Sequence, residues 1–266
     1  MNLFGEVEPV KAEPIAPYLG GKSQLAKSIV GRIQQTKHTT FVDVFFGMGG
    51  VFFRRVSVPT AEVINDINSE LVTLFRVLRS HPEILLQELS VMLAARTEFD
   101  ALKKADPTHM TDIQRAVRFY YLQRLSFGGK STGRSFGVSP DRPSRFDINQ
   151  LRENLRLAAS RLSSVTIENL DWREVLSRYD SAGTLFYLDP PYWGGEADYG
   201  KGVFERKDFA QMAELLSEIR GRFLLSINDR EEVRTTFEGF NLEQVHLNYS
   251  IGKETGKKVA ELIISN

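Results

Sequence analysis

An apolar run that ends in an acid, two prolines and an aromatic ring is the segment best suited to chemistry. Residues 185–192 read Leu-Phe-Tyr-Leu-Asp-Pro-Pro-Tyr. The bulky run has the length of a buried strand, and the prolines must end it because they cannot donate a ladder hydrogen bond. Proline also restricts the residue before it, so Asp189, the Pro190 carbonyl and the Tyr192 ring are held in a preset geometry. Such acceptors beside a ring suit a flat ligand with an amino edge, such as a nucleobase, and the alternative is a simple proline-stiffened turn.

A second strand-like segment runs into glycines. Residues 41–50 read Phe-Val-Asp-Val-Phe-Phe-Gly-Met-Gly-Gly, and Asp66 follows the next apolar run. Asp66 lies near the position of a ribose-binding acid, which is expected about 20 residues beyond a glycine-rich turn. The glycines lack the spacing of a dinucleotide fingerprint, so a nucleoside without phosphates, such as S-adenosylmethionine, fits better. The alternative is a tight turn in which Asp66 caps the following helix. The candidate ligand-binding residues here are Asp43, Phe45, Gly47, Gly49 and Asp66.

Two weaker motifs leave alternatives open. Residues 16–23, Ala-Pro-Tyr-Leu-Gly-Gly-Lys-Ser, approximate a P-loop, which together with Asp189 as a magnesium-binding strand end would indicate a nucleotide hydrolase. A P-loop requires a preceding buried strand, whereas residues 8–14 hold two prolines, two acids and a lysine. We therefore expect Lys22 to meet a carboxylate and a helix to cover residues 23–33. Farther along, Asp171 either closes the far side of an adenine pocket or caps a helix.

Basic and aromatic residues are interleaved with glycines between residues 124 and 145. The segment holds five basic residues and a single acid, Asp141. Basic groups contact phosphates, and aromatic rings can stack on bases or wedge between them, so this composition favours a DNA-facing loop. Arg124, Lys130 and Arg134 are the candidate DNA contacts. The alternative is a solvated glycine-rich loop.

Composition bounds the class of protein. The chain has 266 residues with 42% hydrophobic content, which is enough for one large domain or a domain with a smaller insert. It contains no cysteine, which excludes disulfides, thiolate metal sites and thiol nucleophiles. Lys plus Arg and Asp plus Glu both total 34, so any nucleic-acid binding must rest on a local patch. Without a membrane-spanning run or a signal-peptide start, we expect a cytoplasmic protein that does not bind membranes.

Strand and helix patterns alternate along the chain and predict an α/β fold. Helical spacing is expected at 69–79, over most of 82–125 and 147–162, and at 207–219. The last two strands are joined by so short a turn that they must be antiparallel, so a mostly parallel sheet ends in a hairpin. A mainly helical insert, residues 81–162, would interrupt a catalytic domain made of residues 1–80 and 163–266. The predicted strands are 41–46, 61–65, 165–168, 184–188, 223–227, 242–251 and 259–265.

Four motifs in order carry a resemblance to a known family. Pro-Tyr-Leu-Gly-Gly-Lys at 17–22, Asp-Val-Phe-Phe-Gly-Met-Gly at 43–49, Asn-Asp-Ile-Asn at 65–68 and Asp-Pro-Pro-Tyr at 189–192 look like the motif series of Dam-type DNA adenine-N6 methyltransferases. The match covers most of the chain, and the basic insert stands where that family carries its target-recognition segment. The resemblance implies a Rossmann-like methyltransferase sheet, double-stranded DNA as substrate and S-adenosylmethionine as the methyl donor.

The resemblance also implies roles for individual residues. Asp189, Pro190 and Tyr192 would act on a flipped-out adenine, with Tyr192 stacking on the base and the acid and the carbonyl accepting hydrogen bonds from its amino group. Neither a metal nor a covalent intermediate is needed. The residues that correspond to donor-binding positions are Tyr18, Lys22, Asp66 and Asp189, with Gly47 and Gly49 as a floor and Phe45 and the 170–172 segment as weaker correspondences.

Target specificity is where this sequence departs from the family's pattern. Relatives associated with GATC sites carry Tyr-Asn-Gly and Phe-Asn-Val-Pro, whereas this chain has Phe-Gly-Gly at 127–129 and Phe-Gly-Val-Ser at 136–139. Glycine has no side chain to reach a base edge, so we expect altered or relaxed specificity. Three alternatives stay open: a silent methyltransferase fold that only binds DNA, a cytosine-N4 or RNA methyltransferase, and the hydrolase.

Overall fold

The computed structural model describes residues 12–20, 22, 24–137, 141–200, 202–249 and 257–266. Its strands are β1 (Thr40–Asp43), β2 (Ala61–Asn65), β3 (Thr166–Glu168), β4 (Thr184–Leu188), β5 (Arg222–Asn228), β6 (Asn241–Tyr249) and β7 (Lys257–Ser265). Its α-helices are α1 (Ala26–Gln35), α2 (Ser69–Ser80), α3 (Pro82–Ser90), α4 (Arg96–Lys104), α5 (Asp112–Leu125), α6 (Ile148–Arg161), α7 (Trp172–Tyr179), α8 (Arg206–Glu218) and α9 (Glu231–Thr236). Strands and helices alternate as predicted, which confirms the α/β class.

The chain divides into two compact units. The sheet unit holds Lys22–Phe46, Pro59–Ile67 and Leu170–Asn266, and the helical unit holds Gly47–Val58, Asn68–Asn169 and the described residues before position 21. The helical unit contains α2 to α6 and the short strand β3, so the predicted helical insert lies within it. That this insert recognises DNA stays a prediction.

Strands of the sheet unit lie in the order β2-β1-β4-β5-β7-β6. The pairs β2-β1, β1-β4 and β4-β5 are parallel, and β7 runs antiparallel to both β5 and β6. This confirms a mostly parallel sheet with a carboxyl-terminal antiparallel pair. The turn predicted at the tip of that hairpin falls mainly on residues 250–256, outside the described residues.

The central strand β4 is apolar because both of its faces are covered. Every residue of Thr184–Leu188 is buried, as expected for an inner strand of a parallel sheet. Phe186 and Leu188 join a continuous core with the apolar residues of α7 and α8, including Val175 and Phe209. Burial of this core drives the sheet to form, and the two prolines after Asp189 end β4.

Amphipathic helices pack together in the helical unit. Helix α2 packs against α5, and its apolar face is fully buried; this face consists of Leu71, Leu74, Phe75 and Leu78. Asn68 caps α2, since its side chain accepts hydrogen bonds from the backbone N–H groups of Glu70 and Leu71. Capping by Asp66, the alternative considered from the sequence, is therefore wrong.

Two predicted boundaries differ from the structure by three residues. Strand β1 ends at Asp43, not at Phe46, because the chain bends there and the Phe46 N–H bonds to the Asn65 carbonyl. Helix α1 begins at Ala26, whose N–H bonds to the Lys22 carbonyl, three residues after the predicted start. Among the described residues, no helix combines the length and hydropathy needed to cross a bilayer.

Candidate active site

The end of β4 places Asp189 at the carboxyl edge of the sheet. Since β1, β2, β4 and β5 are parallel, their carboxyl ends lie at one edge, which is where open α/β sheets bind ligands. Asp43, Asp66, Asp189 and Asn228 all lie at or just beyond these strand ends. The Asp189 side chain is 19% exposed, so it is mostly buried but still accessible to a ligand. The structure therefore bears out the predicted position of Asp189 at a strand tip.

Two neighbours bind the same oxygen of Asp189. The Lys22 ammonium lies 2.7 Å from Oδ1, and the Ser226 hydroxyl donates to Oδ1 at 3.2 Å. The Tyr187 hydroxyl in turn lies 2.9 Å from the Ser226 hydroxyl, on the neighbouring strand. Within the described residues, Oδ2 accepts no hydrogen bond from the protein. One side of the carboxylate is thus fixed and the other can meet a ligand.

Lys22 occupies the centre of this polar cluster. It is almost fully buried, and its ammonium donates to the Tyr192 hydroxyl at 2.9 Å and lies 4.3 Å from the centre of the Tyr192 ring. Its second carboxylate partner is Glu261, at 3.8 Å. The expectation that Lys22 meets a carboxylate is confirmed, and a lysine held this way does not act as a phosphate-binding P-loop lysine.

Burial and charge set the ionisation of the cluster. Burial raises the pKa of Asp189 from 3.8 to about 6, because Lys22 and the Ser226 hydroxyl only partly offset the loss of water and Glu261 adds to the rise. Burial alone would lower the pKa of Lys22, but the nearby charges of Asp189 and Glu261 outweigh it and the pKa is raised. Near neutral pH the cluster therefore holds a protonated lysine and a carboxylate that is easily protonated.

The loop after β4 is anchored to the end of β5. Asn228 accepts a hydrogen bond from the Trp193 N–H at 2.9 Å and donates to the Trp193 carbonyl at 3.0 Å. The Trp193 ring packs 4.9 Å from that of Phe209 on α8. The end of β5 thus holds both the loop, through Asn228, and Asp189, through Ser226.

Asn65 ties together the other strand ends of the sheet unit. Its amide donates to the carbonyls of Val44 and Leu170, and its side-chain oxygen accepts from the Leu170 N–H. The segment after β1, which contains Phe45, is thereby fixed beside the start of α7 and the partly buried Asp66. The Phe45 ring contacts that of Phe204 at 6.1 Å. Asp43 at the end of β1 is buried.

Asp171 performs the structural role considered from the sequence. Its carboxylate accepts from the Arg173 N–H at the start of α7 and pairs with the Arg173 guanidinium at 3.0 Å. It is the N-cap of that helix. Its assignment as a ligand-binding residue stays a prediction.

Tyr18 and the two glycines lie in the helical unit. Gly47 and Gly49 have φ of +52° and +71°, a backbone region that favours glycine. A Cβ on Gly47 would come within 3.0 Å of Cδ1 of the Tyr18 ring, so the missing side chain makes room for that ring. The structure thus brings Tyr18 and Gly47 together.

The glycines of the basic loop serve packing in the helical unit. The backbone of Gly129 lies against residues 17 and 18, where a Cβ would approach the Tyr18 nitrogen to 3.0 Å. Its carbonyl accepts from the Leu19 N–H and from Gln123, which is fully buried and also binds the Pro17 carbonyl. This turn therefore fixes the segment that carries Tyr18.

Of the three residues predicted to contact DNA, one has an exposed side chain in the structure. Lys130 is exposed, whereas Arg134 is buried, donates to Gln123 and stacks on Phe119, which leaves its guanidinium engaged inside the unit. Arg124 is partly buried and donates to the carbonyls of Arg145 and Ile15. Composition could not distinguish these structural arginines from surface ones.

The sequence did not single out Glu261 or Tyr187. Glu261 is fully buried in β7 and accepts a hydrogen bond from the Tyr192 hydroxyl at 2.5 Å. Its one signal was an acid within the apolar run from Val259 to Ile264. Tyr187 was counted only as part of a buried strand.

The central strand of the mostly parallel sheet ends in Asp-Pro-Pro-Tyr, and the acid and the ring lie in one polar cluster. This arrangement agrees with the resemblance to methyltransferases that act on a nucleobase amino group. The profile of the D12 class N6 adenine-specific DNA methyltransferase family matches residues 18–251. The chain therefore belongs to this family, and it catalyses methylation of adenine in DNA. The alternatives raised from the sequence receive no support.

Relatives extend over nearly the whole chain. Type II methyltransferase M1.LlaDCHI of Lactococcus lactis subsp. cremoris is 24% identical, over 100% of this chain and 99% of that protein. Type II methyltransferase M.CviBI of Paramecium bursaria Chlorella virus NC1A is 21% identical, over 96% and 99%. The DNA adenine methylase of Escherichia coli strain K12 is 25% identical, over 92% of each protein.

Proposed function

We propose that this enzyme takes its methyl group from S-adenosylmethionine and transfers it to N6 of an adenine rotated out of duplex DNA, with Asp189 and the Pro190 carbonyl as acceptors for the amino hydrogens. The observation that carries the proposal is the asymmetry of Asp189. Lys22 and Ser226 hold Oδ1, while Oδ2 accepts no hydrogen bond within the described residues. An adenine amino group meets the unfilled side of a carboxylate that is already oriented.

The residues at the carboxyl edge of the sheet fit this donor. Asp43, Asp66 and Asp189 give the edge an acidic character that suits a cationic nucleoside with ribose hydroxyls. When bound, the donor supplies an electrophilic methyl group on a positively charged sulfonium. From the resemblance, we propose Lys22, Phe45, Asp66 and Asp189 as donor contacts.

The helical unit supplies the remaining proposed donor contacts. From the resemblance, we also propose Tyr18, Gly47 and Gly49 as donor contacts. Within this unit the Tyr18 ring lies against Gly47, and both glycines have positive φ. Asp171 is a weaker candidate because its carboxylate caps α7. Binding of labelled S-adenosylmethionine to Asp66→Asn and to Asp171→Asn tests these assignments: we expect loss of affinity in the first and little change in the second.

Asp189 acts on the adenine amino group, whose lone pair is delocalised into the ring. Hydrogen bonds from N6 to Oδ2 and to the Pro190 carbonyl favour a tetrahedral nitrogen with an available lone pair. Once N6 has gained its methyl group it carries one proton too many, and that proton passes to Asp189, whose pKa of about 6 suits it as a transient acceptor that returns the proton to water. Tyr192 stacks on the flipped base, which offsets part of the cost of unstacking it.

Contact with DNA is proposed for the exposed residues of the basic loop. Lys130, Arg142 and Arg145 are exposed, and they suit phosphate contacts. The Phe127 side chain is 64% exposed at the same turn, and an aromatic ring so placed can wedge into the base stack. Arg134 is left out because its guanidinium is buried.

Incubation with radiolabelled S-adenosylmethionine and duplex DNA, followed by identification of the labelled base, tests the reaction. We expect N6-methyladenine. Label in N4-methylcytosine, or tight DNA binding without any transfer, would overturn the proposal.

Target choice is tested separately. Gly128 and Gly137 stand where the relatives associated with GATC sites carry asparagine, so we propose altered or relaxed specificity. Methylating a plasmid of mixed sequence and mapping the modified adenines measures it, and strict confinement to GATC would contradict this part of the proposal.

A further inference from the structure

Glu261 is a fully buried acid on β7. It lies in an otherwise apolar stretch, next to Leu262, Ile263 and Ile264, and pairs across the ladder with Asn228 at the end of β5. A buried carboxylate is unfavourable unless charge and hydrogen bonds compensate it. Its partners are the Tyr192 hydroxyl at 2.5 Å and the Lys22 ammonium at 3.8 Å, both of which belong to the active-site cluster.

The Tyr192 hydroxyl is held from two directions. It accepts a hydrogen bond from Lys22 at 2.9 Å and donates one to Glu261. With a donor on one side and an acceptor on the other, the hydroxyl has restricted rotation. The orientation of the ring proposed to stack on adenine thus depends on Glu261, although Glu261 does not contact the Asp-Pro-Pro-Tyr acid.

Lys22 is shared between two carboxylates. It lies 2.7 Å from Asp189 and 3.8 Å from Glu261, so its single positive charge neutralises neither of them completely. Accordingly, Lys22 lowers the pKa of Asp189 and Glu261 raises it, against the background of burial. The titratable groups that surround Asp189 are Lys22 before α1, Tyr187 on β4, Tyr192 after β4 and Glu261 on β7, with Asp43 acting on Tyr187 and Tyr199 acting on Lys22.

We propose that Glu261 is a positioning residue for methyl transfer: it holds the Tyr192 ring through the hydroxyl, and it shares with Asp189 the ammonium of Lys22. This inference rests on the roles proposed for Asp189 and Tyr192. It assigns to the carboxyl-terminal hairpin a part in catalysis that the motifs alone did not indicate.

Glu261→Gln removes the charge and keeps the shape. We expect kcat to fall by about 10- to 100-fold, the range for loss of a charge-assisted hydrogen bond, with KM for DNA and donor little changed. The acid limb of the pH–rate profile moves to lower pH, because Glu261 raises the pKa of Asp189. Glu243→Gln on β6 is the matched control, since its side chain is 60% exposed and lies in the same hairpin; it leaves kcat and the pH profile unchanged.

Tyr192→Phe keeps the ring and removes both hydrogen bonds of the hydroxyl. This variant also tests the positioning role if Glu261→Gln does not fold. If Glu261 acts through the hydroxyl, the two substitutions are not additive, and the double variant loses little more than either single one. A donor-independent readout is the fluorescence of 2-aminopurine placed at the target adenine, which reports base flipping and stacking. We expect both variants to change that signal in the same way.

The outcomes separate this inference from the proposed function. Wild-type kcat in Glu261→Gln or Tyr192→Phe, an unmoved acid limb, or additive losses would overturn the positioning role while leaving Asp189 as the acceptor. Near-wild-type methylation by Asp189→Asn would instead refute the proposed mechanism itself.

Discussion

Asp189→Asn is expected to make the folded protein more stable while removing its activity. Most of the Asp189 side chain is buried, although 19% of it stays exposed, and this burial raises its pKa from 3.8 to about 6. At neutral pH Asp189 is therefore ionised in the folded state, although the folded environment favours its neutral form. Asparagine mimics the neutral form and can occupy nearly the same volume.

The size of the effect follows from the two pKa values. The difference between 3.8 and about 6 corresponds to about 3 kcal/mol of unfolding free energy. Because the folded pKa is raised, the unfavourable contribution of Asp189 is fully present above about pH 6 and disappears below the unfolded value of about pH 4. We expect Asp189→Asn to gain about 1 to 3 kcal/mol at about pH 7.5, or several degrees in Tm, and to lose that advantage as the pH falls to about 4.

Denaturant unfolding of both proteins across this pH range measures the difference. Glu174→Gln is a suitable control: it makes the same change in charge on an exposed helical pair with Arg178 and alters stability little. A variant that is less stable than wild type at neutral pH, or a gain that does not change with pH, would refute the assignment of Asp189 as a destabilised buried acid.

Three further predictions concern the charge, the turn and the DNA surface. Lys22→Met moves the acid limb of the pH–rate profile to higher pH, opposite to Glu261→Gln, because Lys22 lowers the pKa of Asp189 against the effect of burial; a downward movement would contradict the pairing. Gly129→Ala lowers Tm and donor affinity far more than Gly128→Ala, since both have positive φ but only Gly129 lies against backbone; equal effects would exclude the contact with the Tyr18 segment. Lys130→Ala weakens DNA binding similarly for all sequences and reduces the salt slope by about 1, whereas a loss confined to one target sequence would indicate base readout.

Local patterns carried most of the fold prediction. The apolar run before Asp189 and the helical spacing of α2 and α8 depend on near neighbours, and these elements were confirmed within one residue at either end. Strand β1 was predicted too long because its end is set by a hydrogen bond between Phe46 and Asn65, which are distant in sequence. The antiparallel pair of β6 and β7 followed from the short connection alone.

The residues of the candidate site that belong to sequence motifs could be predicted. The residues whose role depends on burial in the folded protein could not. The pairing of Lys22 with a carboxylate was expected, but Glu261 meets Tyr192 across 69 residues of sequence and has no motif of its own. Arg134 shows the converse, because a basic residue in a glycine-rich loop reads as a surface group until packing encloses it. Which charges face water is a property of tertiary packing, which composition does not encode.

The most direct test of the central claim is the single-turnover rate of methyl transfer by Asp189→Asn at saturating donor and DNA, with DNA affinity measured on the same sample. The account predicts a loss of at least about 100-fold in rate, since the amino group loses its charged acceptor and the proton acceptor, while DNA affinity remains close to that of the wild type. A rate within about twofold of the wild type, with N6-methyladenine as the product, would contradict the role assigned to Asp189.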